Sequence, residues 1–311
     1  MDGLSAQSRR SVLYGLCLGV PAFAGMTGVY GAAPAIPTTP ANANQVVLGQ
    51  LRAYDERVGD IGYALARGGI ALCPATVVPL PGFRVHTLGQ YGKAVQADAK
   101  ALFGLGDTPA VLTASKDSGL KAGDWIVSIN ATDLKSGPGY AGVARFDDIL
   151  AAAIAHPPVV VLIEREGVRQ NVSLTGLPGC ASRVELVPGK KLNAAADGTI
   201  VQITTGVLEQ THDDDELAFI IAHEMAHNIL GHRDRLDRIG RSAAHIRATE
   251  SEADLLGLKL MKAAGYDPMA AARFWMRFGK KTGAGIFSDG THLRTRDRVR
   301  LLTDEAAKLA Q

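Results

Sequence analysis

The stretch AFIIAHEMAHNILGH, residues 218–232, governs how the rest of the chain is read. Just upstream, Asp213, Asp214, Asp215 and Glu216 crowd together. Acids there suit the start of a helix, because carboxylates accept its orphan N–H groups and favour the positive end of its dipole. A helix is therefore predicted from about Asp214 to His232, with Gly231 near its end. His223 and His227 are i and i+4 on it, stacked on one face roughly 6 Å apart, so both imidazoles can point at one metal. Glu224 lies one residue round and flanks the ion without being forced to bind it. Two neutral imidazoles, an open position for water and a carboxylate poised to take a proton are the parts of a zinc hydrolase. The same three positions also arise by chance on ordinary buried helices, so their company must decide.

That company lies in ATESEADLLGLKLMKAAGYDP, residues 248–268, which reads as a second helix with Leu255, Leu258 and Met261 at helical steps. Glu250 and Asp254 are again i and i+4. Glu250 completes a set of two histidines and a glutamate, while Asp254, one turn on, is placed to accept the remaining N–H of an imidazole. Glu252 is a rival third ligand, about 200° round the helix from Glu250.

Four blocks in order, DELAFIIAHEMAH, ESEAD, AAGYDP and THLRTRDRV, resemble the M48 family of zinc metallopeptidases from about Gly198 to Leu301. The resemblance implies His223, His227 and Glu250 as ligands of one zinc ion per chain and Glu224 as general base. Glu252 breaks the family's E-x-x-A-D register. His292 and Arg298 occupy the His and Arg positions of the last block, although the family's His-Pro is here His292-Leu293. By resemblance His292 is a transition-state donor or a regulatory zinc ligand; an exposed loop histidine is the competing reading. His232, five residues past the motif, is expected to turn away from the ligand face onto the helix-end surface. His212 and His245 are expected to be solvated, and residues 232–247 to form a solvent-facing loop or a helix over the cleft.

Across its 311 residues the chain is 47% hydrophobic and 21% charged, enough to bury a core. The net charge is +2, with basic residues scattered among acids. No aromatic-and-basic platform is present, so nucleic acid is not an expected partner. Ser8-Arg9-Arg10-Ser11-Val12-Leu13 leads into an apolar stretch over residues 12–33, followed by Ala33-Pro34-Ala35. That is the order of an export signal, and the paired arginines resemble a twin-arginine leader. Residues 1–35 are accordingly expected to send the protein to the periplasm or medium of a bacterial host. The alternative is a retained anchor over residues 12–33 that holds it at the inner membrane. With Cys17 in this segment, Cys73 and Cys180 are expected to pair in an oxidising compartment, two free buried thiols being the other reading.

Residues 36–44 read as a linker. An amphipathic helix follows over residues 45–66, with Val47, Leu51, Tyr54, Val58, Ile61 and Leu65 on its apolar stripe. Ile70-Ala71-Leu72 and Phe83-Arg84-Val85 read as short strands. SGLKAGDWIVSIN, residues 118–130, resembles the PDZ family, whose members bind extended peptides by adding a strand to a sheet edge. That likeness suggests Gly104-Leu105-Gly106 as a carboxylate-binding loop, with an ordinary glycine-rich turn as the rival.

The expected fold is α+β: a mainly helical, zincin-like metallopeptidase domain with a small β-sheet, interrupted by a PDZ-like β-rich domain. Residues 45–106 and 176–311 form the first and residues 107–175 the second. The expected function is an exported zinc endopeptidase that cuts unfolded or damaged envelope proteins, with substrate peptides extended along a strand near Ile200 to Thr205. The alternative, from another class, is a peptide-binding or chaperone-like envelope protein with a non-catalytic zinc site.

Overall fold

The computed structural model describes residues 42–106, 108–134, 139–279 and 294–310. The expected leader, most of the linker and His292 lie outside them. Helix α1 (Ala43–Gly68) leads into β1 (Val77–Leu80), β2 (Phe83–His86), α2 (Gln96–Phe103), β3 (Ala110–Ala114), β4 (Trp125–Ile129) and β5 (Thr132–Asp133). Next come α3 (Gly139–Ile154), β6 (Val159–Arg165), β7 (Val168–Leu174), β8 (Leu177–Cys180), β9 (Arg183–Val187), β10 (Ala194–Ala196) and β11 (Ile200–Thr204). The chain ends in helices: α4 (Thr205–Leu208), α5 (Asp214–Ile229), α6 (His232–Ile239), α7 (Ala243–Ala263), α8 (Met269–Phe278) and α9 (Thr295–Leu309). Among the described residues no helix is long and apolar enough to cross a membrane.

Asn42 caps α1 by accepting the Gln45 N–H at 3.0 Å. Val58, Ile61 and Leu65 face the main core as expected, but in the first turns the buried residue is Leu48 while Val47 stays exposed. The reason is a change of partner: this end of the helix packs on Val95, Ala99 and Leu105 in a small separate cluster. After α1, Gly69–Leu72 forms a 3-10 turn where the sequence suggested a strand, because the chain keeps coiling straight out of the helix.

Strands β1 and β8 pair antiparallel as a two-stranded neck. Beyond it lies a sheet ordered β2-β3-β4-β6-β7, with β5 on β4. Along β6, Val159, Val161 and Ile163 alternate inward and meet Ile126, Ile129 and the Phe146, Leu150 and Ile154 face of α3. The β6–β7 hairpin turns on Glu166 and Gly167, both at positive φ, a conformation that matches the twist of the strands it joins. Phe83 and Val85 share this core, and β2 is hydrogen-bonded to β3. The expected boundary at residue 106 therefore runs through a sheet, and the chain leaves and rejoins the helical part at the neck. Cys73 and Cys180 are bonded at the base of that neck, 107 residues apart in sequence.

The second sheet is ordered β10-β11-β9. Strand β11 is central, parallel to β9 and antiparallel to β10. It cannot accept a further strand, which corrects the expected substrate edge near Ile200; the edges are β9 and β10, and β10 is the one that lines the cleft beside His223 and His227. This sheet, α1, α5, α7, α8 and α9 surround the main core.

Candidate metal centre

Helix α5 starts on a reciprocal cap. Asp213 accepts the Glu216 N–H at 2.8 Å, and Glu216 accepts the His212 N–H at 2.8 Å. Arg277 pairs with the same Glu216 carboxylate. From there the helix is apolar on every side, with Leu217, Phe219, Ile221 and Met225 all buried, so it runs through the core rather than along the surface. His223 and Glu224 are only 4% and 8% exposed.

Helix α7 comes unusually close to α5 at Gly257. A Cβ there would lie 3.2 Å from the His223 backbone nitrogen and 3.3 Å from its Cα. Two turns earlier on α7, Glu250 consequently reaches both histidines. Its Oε2 is 3.2 Å from His223 Nε2 and its Oε1 is 3.5 Å from His227 Nε2. The two Nε2 atoms are 3.3 Å apart. A tetrahedral ion about 2.0–2.1 Å from nitrogen and oxygen donors spaces them by roughly 3.3 Å, so this triangle has the dimensions of one face of such a site. His223, His227 and Glu250 can thus hold a divalent metal.

The far nitrogen of His223 is also engaged: Nδ1 is 2.9 Å from Asp254 Oδ1. Arg298 on α9 donates to both oxygens of that carboxylate, Nη2 at 2.6 Å and Nε at 2.8 Å, and its guanidinium lies 4.1 Å from the Trp275 ring centre. Burial pushes the Asp254 carboxyl up, but Arg298 and His223 outweigh it and hold it below the usual carboxylate range. Burial likewise pulls His223 down, yet Asp254 and Glu250 together raise it to about 10. Without an ion the pocket favours positive charge at this point, which a divalent cation would supply. Arg298, which occupies the Arg position of the family's last block, is 2% exposed behind Asp254, and its Nη2 also lies 3.5 Å from His223 Nδ1.

His232 departs from expectation. It is 1% exposed, with Nδ1 2.9 Å from His227 Nδ1 and Nε2 3.1 Å from Glu252 Oε2. The helical-wheel argument fails because α5 stops at Ile229 and Gly231, at φ +59°, turns the chain back into α6. Glu252 is thereby occupied away from the ligand triangle, held by both arms of Arg235 at 2.7 and 2.9 Å. Burial and the adjacent His227 pull His232 down to about 4. Sequence reading also passed over Asn228, whose side chain accepts the Gly198 N–H at 2.7 Å and donates to Ser182 Oγ at 2.9 Å, tying α5 to the small sheet.

His223, Glu224, His227, His232 and Glu250 line a cleft together with Ala194, Ala196 and Gly198 and with Arg233 and Leu236 of α6. His212 is exposed, as expected. Gly104 ends α2 in a left-handed conformation, and Leu105 is buried in the cluster under α1. Gly106 accepts the Leu88 N–H at 3.3 Å. The suggested carboxylate-binding loop is therefore built as a helix stop anchored in a core.

Three metal donors thus converge, with Glu224 next to His223, in a cleft that is also lined by β10. Residues 165–242 match peptidase family M48, a span that holds His223, Glu224 and His227 and ends before Glu250. Over 182 residues the chain is 23% identical to the mitochondrial metalloendopeptidase OMA1 of Schizosaccharomyces pombe, covering 48% of this chain and 54% of that protein. The chain thus spans about half the length of the curated relative it matches. Both matches support a metallopeptidase of the M48 kind.

Proposed function

We propose that this protein is an exported zinc endopeptidase that hydrolyses unfolded or damaged proteins of the bacterial envelope. The observation that carries the reading is the convergence of His223, His227 and Glu250 beside Glu224 in a cleft bordered by the edge strand β10. Two imidazoles and one carboxylate leave a tetrahedral ion one position free, the pattern of catalytic rather than structural zinc. Bound zinc supplies Lewis acidity, lowering the pKa of water towards 7 and polarising a carbonyl.

The remaining work falls to the protein. A substrate segment extends along the outer edge of β10 through main-chain hydrogen bonds, where Ala194 and Ala196 leave room for it. Glu224 takes the proton of the attacking water and returns it to the leaving amine. His223 and His227 would offer Nε2 to the ion, their second nitrogens being engaged by Asp254 and His232.

Sequence resemblance and a sheet covered by one helix support a PDZ-like role for the inserted part, which would bind substrate segments by strand addition and raise their concentration at the cleft. The basic and apolar leader supports export, with residues 12–33 as the anchor if it is retained. The bonded Cys73 and Cys180 support an oxidising compartment.

Replacing Glu224 by Gln tests the chemistry. The variant should bind zinc like the native chain while casein hydrolysis falls by about 10²- to 10⁴-fold. Undiminished hydrolysis would remove Glu224 from the mechanism. A native chain that binds zinc and peptides but cleaves none would be the chaperone-like protein instead.

A further inference from the structure

The geometry points to His232 as a positioning residue of the metal centre, holding the His227 ring in one tautomer as Asp254 holds His223. The inference rests on the metal-site reading above. For His227 to offer Nε2 to an ion, its single proton must sit on Nδ1. That N–H faces His232 Nδ1 across 2.9 Å, so the facing nitrogen must be bare and accept it. His232 then carries its proton on Nε2, 3.1 Å from Glu252 Oε2, which accepts. Glu252 in turn is fixed by the two arms of Arg235.

Every group in this string has one consistent assignment. A proton on His232 Nδ1 would set two N–H groups against each other and leave Glu252 facing a lone pair. The string joins α5, α6 and α7, so it holds the His227 ring through partners separate from the Asp254–Arg298 pair that holds His223. A second consequence concerns His232 itself. Both of its ring nitrogens are engaged, so it is not a fourth ligand, despite lying on the wall of the cleft.

The test measures zinc affinity of the full chain by competition with a fluorescent chelator. His232→Leu removes the acceptor and should weaken zinc binding by about 10- to 100-fold, the usual effect of losing such a partner. His232→Asn places an amide oxygen where Nδ1 was and should recover most of that loss. His232→Gln, whose amide reaches the Nε2 position instead, should not. With Co²⁺ in place of zinc, the visible bands should shift in His232→Leu and return in His232→Asn.

Native affinity in His232→Leu overturns the inference. So does equal weakening in the Asn and Gln variants, which would mark His232 as packing alone. That second comparison stands even if His232→Leu fails to fold. A native chain that binds zinc but digests no casein sinks the peptidase reading and leaves this inference intact. A native chain without zinc affinity sinks both.

Discussion

The helical core and the inserted sheet are held together by opposite means. In the core, charges are buried and each must be matched. The His223–Asp254–Arg298 chain ends on Trp275 with Asp254 and Arg298 both almost fully covered. In the insert, the core is apolar and carries one buried charge, Asp124, answered by the partly exposed Arg165, while pairs such as Arg169 with Glu164 stay at the margin. The two are joined by the β1–β8 neck, the cystine beneath it, the small cluster in which Leu48 of α1 meets Ala110 of β3, and a few partly exposed ion pairs. A group that must orient a metal ligand has to be immobile, and buried matched charges achieve that because every alternative geometry leaves one unpaired. The insert needs only a stable sheet. Changes in the core should therefore move stability and metal affinity together, and changes at the neck should move stability alone.

The largest effect is expected at Arg298. Replacing it by Leu leaves Asp254 buried with no cationic partner but the His223 ring, at a cost of about 3 to 5 kcal/mol in unfolding free energy. Zinc affinity should fall with it, since Asp254 no longer holds the His223 ring. Chemical denaturation and chelator competition on the same samples would read both. If stability collapsed while affinity stayed native, the coupling claimed for the core would be wrong.

Next comes the cystine. Its loop of 107 residues encloses the whole insert. Constraining so long a loop in the unfolded chain stabilises a fold by about 2 to 5 kcal/mol. The double replacement of Cys73 and Cys180 by Ala should lower unfolding free energy by that amount and leave the zinc dissociation constant of the folded protein unchanged. A changed dissociation constant would show that the neck reaches the metal site after all.

A subtler break lies at Gly257. An alanine methyl there meets the His223 backbone at 3.2 Å, and overpacking costs about 1 to 3 kcal/mol. Alanine also gains roughly 1 kcal/mol of helix propensity over glycine, which offsets part of this. The net loss in Gly257→Ala should be about 1 kcal/mol, accompanied by weaker zinc binding as α7 is pushed off α5. Gly49 in α1 has nothing within 4 Å of such a Cβ, so Gly49→Ala should instead stabilise by about 0.5 to 1 kcal/mol. Opposite signs at these two helical glycines would separate close approach from propensity.

The same contrast explains what the sequence revealed. His223 with His227, and Glu250 with Asp254, were legible because each pair sits at i, i+4 within an unbroken helix, where sequence spacing is spatial spacing, and Glu224 because it adjoins His223 on the same helix. His232 was not, because Gly231 ends that helix and angles counted through it lose their meaning. The signal was present in Gly231 itself, a residue suited to a left-handed stop. Strand β11 reads as a strand from its own residues, but whether it is central or an edge depends on β9 and β10. The latter is Ala194-Ala195-Ala196, with no alternation to announce it. The grouping of β2 with the insert was hidden for a similar reason: only its pairing with β3, on the far side of α2, shows where it belongs.

The smallest expected effect tests the margin between the two parts. Arg183 on β9 reaches Asp147 on α3 at 2.5 Å and Glu185 at 3.0 Å, while Arg84 on β2 donates to the Val184 carbonyl at 2.7 Å. The Arg183 and Asp147 side chains are 44% and 36% exposed, so water screens the pair and its contribution is about 0 to 1 kcal/mol. Asp147→Asn should thus leave the denaturation midpoint almost unmoved and zinc affinity native. Its effect should appear as faster limited proteolysis around the neck, since α3 loses one of its ties to the strand beside β11. If that variant instead weakened zinc binding, α3 would be coupled through β9 and β11 to the helix carrying His223. The insert would then share in holding the metal site rather than merely standing beside it.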